Sequence, residues 1–265
     1  MTWLELLTLV AAGAAAGLIN TVVGSGTLIT FPTLLALGIP PVTANISNTV
    51  GLAPGSLSGA LSMQAELNGQ RARVLRLGTA SLLGGIAGAL LLLWLPSEAF
   101  DAIVPILIGL GCLLVIIQPA LSRWIVARRS RLAAGEPNPH GGSWLWLAIL
   151  LTGVYGGYFG AAQGVLLIGV MGVGLVETLA RINAVKNVLA GIVNGVAGAV
   201  FVIITLIPTA QEDARVNWAA AAAIAIGSVL GAQVGGRVGR RLPATLYRVI
   251  IVAVGVAAII SVVWG

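Results

Sequence analysis

Several stretches of about 20 residues in this chain carry no charge, the length a helix needs to cross a hydrocarbon core of roughly 30 Å. Only 8% of the 265 residues are charged and 58% are hydrophobic, where soluble domains carry roughly a quarter charged residues. A soluble fold of this size has too little interior to hide so much apolar surface. The mean hydropathy of +1.04 makes the lipid bilayer the expected solvent. The chain reads as an all-α integral membrane protein, multi-pass, in the cell membrane.

The net charge of +6 and pI near 10.7 would point to nucleic acid in a soluble protein. Here the basic residues fall in short clusters between apolar runs, which is a topology signal, and no nucleic-acid partner is expected. The single cysteine, Cys112, lies inside an apolar run and excludes an intrachain disulfide. The first segment, Thr2 to Ile19, has Glu5 near its start and no basic leader. Gly17-Leu18-Ile19-Asn20 is a poor cleavage site, so the segment is expected to be retained.

Ten apolar segments can be drawn, at 3–19, 27–38, 43–64, 77–95, 100–121, 144–155, 164–175, 181–207, 218–236 and 246–264. All seven tryptophans fall at or near a segment end, as in an interfacial aromatic belt. Segments 27–38, 144–155 and 164–175 are short; at 1.5 Å per residue each reaches roughly 18 Å, about half a bilayer. They flank two glycine-rich breaks, Asn20-Thr21-Val22-Val23-Gly24-Ser25-Gly26 and Gly156-Gly157-Tyr158-Phe159-Gly160-Ala161-Ala162-Gln163. Irregular backbone at membrane depth survives only where protein buries it or a cavity lines it. Each pair reads as a re-entrant helical hairpin. Two tilted crossings joined by a tight turn are the open alternative.

The breaks head similar sequences. Gly17, Val23-Gly24 and Gly26 align with Gly153, Phe159-Gly160 and Ala162 at a constant offset. After a two-residue shift, Asn45 aligns with Asn183, Thr49-Val50 with Asn187-Val188, and Gly59-Ala60 with Ala197-Gly198. The expected organisation is a first repeat over 1–122, a basic linker over 123–142 and a second repeat over 143–265. Arginines orient them. Arg71, Arg73 and Arg76, then Arg123, Arg128, Arg129 and Arg131, then Arg237, Arg240, Arg241 and Arg248 form three basic clusters; the turns near Glu98-Asp101 and Glu212-Asp213 are acidic. The positive-inside rule puts the basic loops, linker included, in the cytoplasm. Each half then needs an odd number of crossings: a glycine-broken hairpin plus about three transmembrane helices. The second repeat is inverted and both termini come out extracytoplasmic. Inverted repeats with broken helices are the pattern of a secondary transporter with its site at the midplane.

Lys186 is the only lysine, within Asn183-Ala184-Val185-Lys186-Asn187 near the start of an apolar helix. An ammonium in the membrane costs about 2.5–3.5 kcal/mol, so it needs a cavity, a partner or water. Ligand contact, snorkelling beside Arg181 and pairing with Glu177 all remain open. Asn183, Asn187 and Asn194 share roughly one helix face, and the first repeat offers Asn45, Ser47, Asn48, Thr49, Ser56 and Ser58. Asn48 and Thr49 align with Lys186 and Asn187 and are assigned to the site; Ser56 and Ser58 read as interhelical glue. Gly24-Ser25-Gly26 and Gly160-Ala161-Ala162 leave N–H groups at helix N-termini, where the dipole favours anions. Asn20, Tyr155, Tyr158 and Gln163 add polar groups beside them. This donor-rich, carboxylate-free centre suits a small oxyanion. Gly227, Gly231, Gly235 and Gly239 recur every four residues and read as close helix packing. Gly55-Ser56-Leu57-Ser58-Gly59 matches G-x-S-x-G, but the only histidine, His140, sits in the basic loop, which argues against an intramembrane hydrolase. No nucleotide, cofactor or metal motif is present.

Both break stretches, Gly17 to Gly26 and Gly153 to Gly164, resemble the TauE/SafE family of sulfite-exporter-like permeases. So do Ala44-Asn45-Ile46-Ser47-Asn48-Thr49 and Ile182-Asn183-Ala184-Val185-Lys186-Asn187. The resemblance covers essentially the whole chain. It implies a permease for sulfite, organosulfonates or related sulfur oxyanions, without cofactor, metal or catalytic residues. The family's first copy often reads Thr-Asn-Lys where this chain has Ser47-Asn48-Thr49, so a second cation is absent.

The expected function is alternating-access movement of such an anion, export favoured, with its site between the repeats. Gly24, Ser25 and Gly26, with Gly160, Ala162 and Gln163, would hold its oxygens. Asn20, Asn48, Thr49, Tyr158, Asn183 and Asn187 would add hydrogen bonds, and Lys186 charge. An anion channel or an uptake permease is the rival reading, and an intramembrane enzyme a more distant one. Association into a homo-oligomer is left open.

Overall fold

The computed structural model describes residues 1–132, 141–205, 215–238 and 244–264. His140, Glu212, Asp213, Gly239, Arg240 and Arg241, and residues 133–140 of the expected linker, lie outside these residues. The described residues form ten α-helices, each on one of the ten apolar segments: α1 (Trp3–Val22), α2 (Thr27–Ala36), α3 (Pro41–Ser62), α4 (Arg71–Trp94), α5 (Ser97–Leu132), α6 (Ser143–Tyr158), α7 (Gln163–Gly174), α8 (Leu179–Thr205), α9 (Trp218–Val238) and α10 (Ala244–Trp264).

Local chemistry sets several boundaries. Thr2 and Glu5 form a reciprocal capping box ahead of α1, with bonds of 2.9 and 3.3 Å. Gly38 turns the chain at φ +77° after α2, and Pro41 occupies the first position of α3, where its missing N–H costs nothing. Asn217 caps α9 by accepting from the Ala220 N–H at 3.1 Å. One boundary differs from the sequence reading. α5 does not stop near 121 but continues to Leu132, so Arg123 and Arg128 lie on a helix rather than in a loop. Polar residues from Ser122 onward resemble a loop, but they are also good formers of an exposed helix end.

Five of the described helices are long and apolar enough to cross a bilayer: Trp3–Val22, Arg71–Trp94, Ser97–Arg128, Leu179–Thr205 and Trp218–Arg237. α3 has similar length but carries Asn45, Ser47, Asn48, Thr49, Ser56 and Ser58, all of them buried. The surface is the inverse of a soluble protein's: Leu7, Leu82, Ile106, Leu113 and Ile226 are exposed, as are Trp3, Trp94, Trp124, Trp144 and Trp218 near helix ends. Both features suit a lipid solvent.

α1 packs along α9, and α6 along α4; α3 touches α8 and α9, and α8 also touches α4. α2 lies against α10 and α7 against α5. Exchanging α1–α5 for α6–α10 returns the same pairs. α6 and α7 fold back as a hairpin, with Leu145 near the start of one against Gly174 at the end of the other. Arginines grip those two outer ends: Arg76 Nη1 donates to Gly141 O at 2.8 Å and Arg128 Nη1 to Val173 O at 2.6 Å. The α1–α9 contact is close enough to require small residues. A Cβ on Gly231 would stand 1.9 Å from the Ala14 carbonyl oxygen, and one on Gly227 2.1 Å from that of Val10. The four-residue glycine spacing is therefore a packing device over its described members.

Gly231→Val is expected to lower the stability of detergent-solubilised protein by about 3 kcal/mol or more, because the clash is with rigid backbone. Gly195→Val, whose Cβ meets nothing within 4 Å, is expected to change it by less than about 0.5 kcal/mol. Thermal unfolding followed by size-exclusion chromatography checks the contrast.

Candidate functional site

A helix that ends inside a membrane leaves its last carbonyls without intrahelical donors. α1 ends at Val22 and α6 at Tyr158, each at a turn packed within the protein. Past those ends the backbone turns through left-handed residues, Gly24 at φ +89°, Gly160 at +76° and Ala162 at +56°. The two turns touch. The Gly164 N–H donates to the Gly24 carbonyl at 3.0 Å, and a Cβ on Gly164 would lie 2.4 Å from the Gly24 Cα. Glycine is required on both sides of that contact. Gly164 was not among the predicted site residues; its aligned position in the first half is Leu28, so the pairing of the repeats does not single it out.

The carbonyls at the end of α1 are taken up by α8. Lys186 Nζ donates to Asn20 O at 2.7 Å and to Thr21 O at 3.3 Å. Asn183 Nδ2 reaches Thr21 O at 3.0 Å and Asn187 Nδ2 reaches it at 3.3 Å. Both amides also approach the Met63 sulfur, at 3.4 and 3.2 Å. Lys186 is 0% exposed, so it does not snorkel. Nor does it pair with Glu177, which is held by Arg73 at 3.1 Å and Arg181 at 2.9 Å. Its ammonium lies at the negative end of the α1 dipole, where a cation is favoured.

At the end of α6 the corresponding bond is Asn45 Nδ2 to Tyr158 O, 2.8 Å. Thus Asn45 and Asn183, aligned in the sequence, each hold the broken helix of the opposite half. The match stops one turn later. Asn48, aligned with Lys186, stays in its own half: Nδ2 donates to Thr27 Oγ1 at 3.4 Å and Oδ1 accepts from the Thr30 hydroxyl. The Thr49 hydroxyl is used within α3, on Asn45 O at 2.9 Å.

The predicted residues therefore separate into groups. Asn20, Gly24, Asn183, Lys186 and Asn187 converge around the end of α1. Asn48 and Thr49 belong to a neighbouring cluster on α2 and α3. The Tyr158 ring packs edge-on against Phe100, centroids 5.7 Å apart, while its carbonyl takes the Asn45 bond. Ser25, Gly26, Ala162 and Gln163 are buried at the starts of α2 and α7. Among them, Ser25 Oγ and Gln163 Nε2 have no hydrogen-bond partner, and neither does Asn183 Oδ1 beside the lysine. Buried polar atoms are rarely left unpaired without a ligand or water to meet them. Tyr155, read as a donor, instead clamps the second turn through Ala161 O at 2.6 Å. Ser56 and Ser58 act as expected for glue: Ser56 Oγ accepts from Asn20 and Asn194, and Ser58 Oγ bonds Val229 O and Gln233.

A cavity of about 290 Å³ adjoins the cluster, lined by Val22, Met63 and Asn183 together with Gln118, Ser122 and Leu179. Met63 and Gln118 were not predicted. Neither belongs to a motif, and only the folded positions of α3 and α5 bring them here.

Apolar helices and two touching helix breaks beside a buried lysine define a polytopic membrane protein with interrupted helices. The chain belongs to the family described as Sulfite exporter TauE/SafE, whose model matches residues 9–262. It is 28% identical over 153 residues to the probable membrane transporter protein YfcA of Escherichia coli (strain K12), covering 56% of this chain and 52% of that one. It is 33% identical over 97 residues to the probable membrane transporter protein ORF9 of Sinorhizobium sp, covering 37% of each. The aligned region thus spans about half or less of these curated relatives.

Ala162→Gly is expected to be neutral or to stabilise by up to about 1 kcal/mol, since it relieves a left-handed alanine. The same change in a helix interior destabilises by about 1 kcal/mol. Gly164→Ala is expected to destabilise strongly by forcing the two turns apart. Unfolding midpoints of the two variants in detergent test both signs.

Proposed function

We propose that the protein is a permease for a small sulfur-containing oxyanion, sulfite or an organosulfonate, working by alternating access with export favoured. The observation that carries this reading is the Lys186 ammonium. It is fully buried where the two halves meet and is neutralised by no carboxylate among the described residues. Carbonyl dipoles at the end of α1 solvate it but leave its net charge in place. A monoanion entering beside it cancels that charge and gains charge-assisted hydrogen bonds. The unpaired Ser25 hydroxyl and Gln163 amide, with the backbone N–H groups of the two turns, supply neutral donors for further oxygens. The family's description, sulfite exporter, supports the finer substrate class.

The halves 1–122 and 143–265 act as inverted repeats in this reading, with residues 123–142 as a cytoplasmic basic linker. The exchange symmetry of helix pairs supports it. The α6–α7 hairpin, gripped by arginines at both outer ends, supports a re-entrant course from the cytoplasmic side. Both chain termini then face outward. Motion of one half against the other exchanges access at the site, and every bond from α8 to the end of α1 spans that boundary. A bound anion feels about 2.3 kcal/mol per charge per 100 mV; with the inside negative, uncoupled anions are driven outward.

Purified protein on a solid-supported membrane is expected to give saturable currents with sulfite or ethanesulfonate but not with chloride. Lys186→Gln is expected to reduce them at least about tenfold, the cost of losing one charge-assisted contact. Currents that stay unchanged in the variant would remove the lysine from the site. Linear, non-saturating flux without counterflow would indicate a channel.

A further inference from the structure

The cavity beside the cluster contains two polar side chains that neither the sequence motifs nor the family resemblance assigns. Gln118 and Ser122 lie four residues apart on α5, on one face of the helix, and both line the cavity that Asn183 and Val22 also line. Their alignment depends on α5 running unbroken past 121, so the sequence alone places Ser122 in a loop. Gln118 is 9% exposed. Among the described residues neither side chain makes a hydrogen bond within the protein. A nearly buried amide with no partner, facing an open volume, is a group built to meet something that enters.

The surroundings indicate what enters. No acidic residue lines the cavity; the rest of its wall is Met63, Val22, Ile168 and Leu179 with Ala180. The nearest acid on the adjoining chain, Glu177, is occupied by Arg73 and Arg181. Arg123, next to Ser122, is exposed. The cavity therefore places two neutral hydrogen-bonding groups, one of them next to Arg123, in a common wall with Val22 and Asn183, and Asn183 shares the Thr21 carbonyl with Lys186. At about 290 Å³ the volume exceeds what a bare inorganic oxyanion needs.

We propose that Gln118 and Ser122 form a second, waiting subsite for the transported anion, on the arginine-bearing side, in which they donate to its oxygens before it reaches Lys186. This rests on the transport reading above. Neutral donors are suited to the role, since conduction through successive sites requires that each bind weakly enough to release.

The native thiol, Cys112, is buried, so the test uses Cys112→Ser protein carrying Gln118→Cys or Ser122→Cys, with Leu113→Cys, an exposed apolar position on the same helix, as control. A membrane-impermeant anionic thiol reagent is applied to each side of oriented vesicles. Both new thiols are expected to react from the arginine-bearing side at least ten times faster than the control, and ethanesulfonate is expected to slow them. Reaction no faster than the control, reaction only from the opposite side, or no protection by ethanesulfonate overturns the subsite. Gln118→Glu supplies a check without thiol chemistry: the half-saturating ethanesulfonate concentration should rise at least about tenfold, and an unchanged value contradicts the proposal. Absent currents in the wild type would instead mark failure of the transport reading.

Discussion

Main-chain carbonyls cannot be left unpaired where α1 and α6 end against the packed interior, and most of the polar interior answers that constraint. A broken helix in a membrane exposes carbonyls at one side of the gap and N–H groups at the other. Here each half supplies the donors for the other half's carbonyls: Asn183, Lys186 and Asn187 from α8 to α1, and Asn45 from α3 to α6. The turns themselves are brought together by the Gly24–Gly164 contact. The breaks are thus both the weakest elements of the backbone and the points that tie the halves together. A ligand that competes for these donors changes the contact between halves as it binds, which is the coupling a transporter needs.

The two ends are built alike but chemically unequal. Asn45 and Asn183 do the same work across the boundary, while Lys186 and its aligned residue Asn48 do not. Asn48 is satisfied within its own half by Thr27 and Thr30. The centre therefore carries one positive charge instead of two. In the proposed function that favours a monoanion, or a dianion whose second charge is balanced elsewhere. The Arg73–Glu177–Arg181 network keeps the nearest carboxylate away from the lysine.

Much of this was legible in the residues. Every apolar segment became a helix, the glycine-rich stretches each hold a break, at 23–26 and 159–162, and the four-residue glycine spacing became the α1–α9 contact. These features depend on local pattern, and the solvent, lipid, selects strongly for them. The missing parts depend on partners that have no sequence signature. Backbone carbonyls look the same in every residue, so nothing indicated that Lys186 would rest on Asn20 and Thr21 rather than on Glu177 or water. Gly164 and Gln118 mattered only once distant helices met. The end of α5 was misjudged because arginines beyond an apolar run read as loop, although they extend a helix just as well.

The central claim is that the Lys186 ammonium is the charge an anion meets between the halves. Because it is the only lysine, protein labelled with ε-¹⁵N-lysine gives a single side-chain ammonium resonance from this group, to be followed in detergent micelles while ethanesulfonate or chloride is added. The account predicts a saturable shift with the sulfonate at the concentration that half-saturates transport, and none with chloride. A resonance that stays fixed through saturating sulfonate, in protein that transports it, would contradict the account and leave the lysine a structural cap of α1.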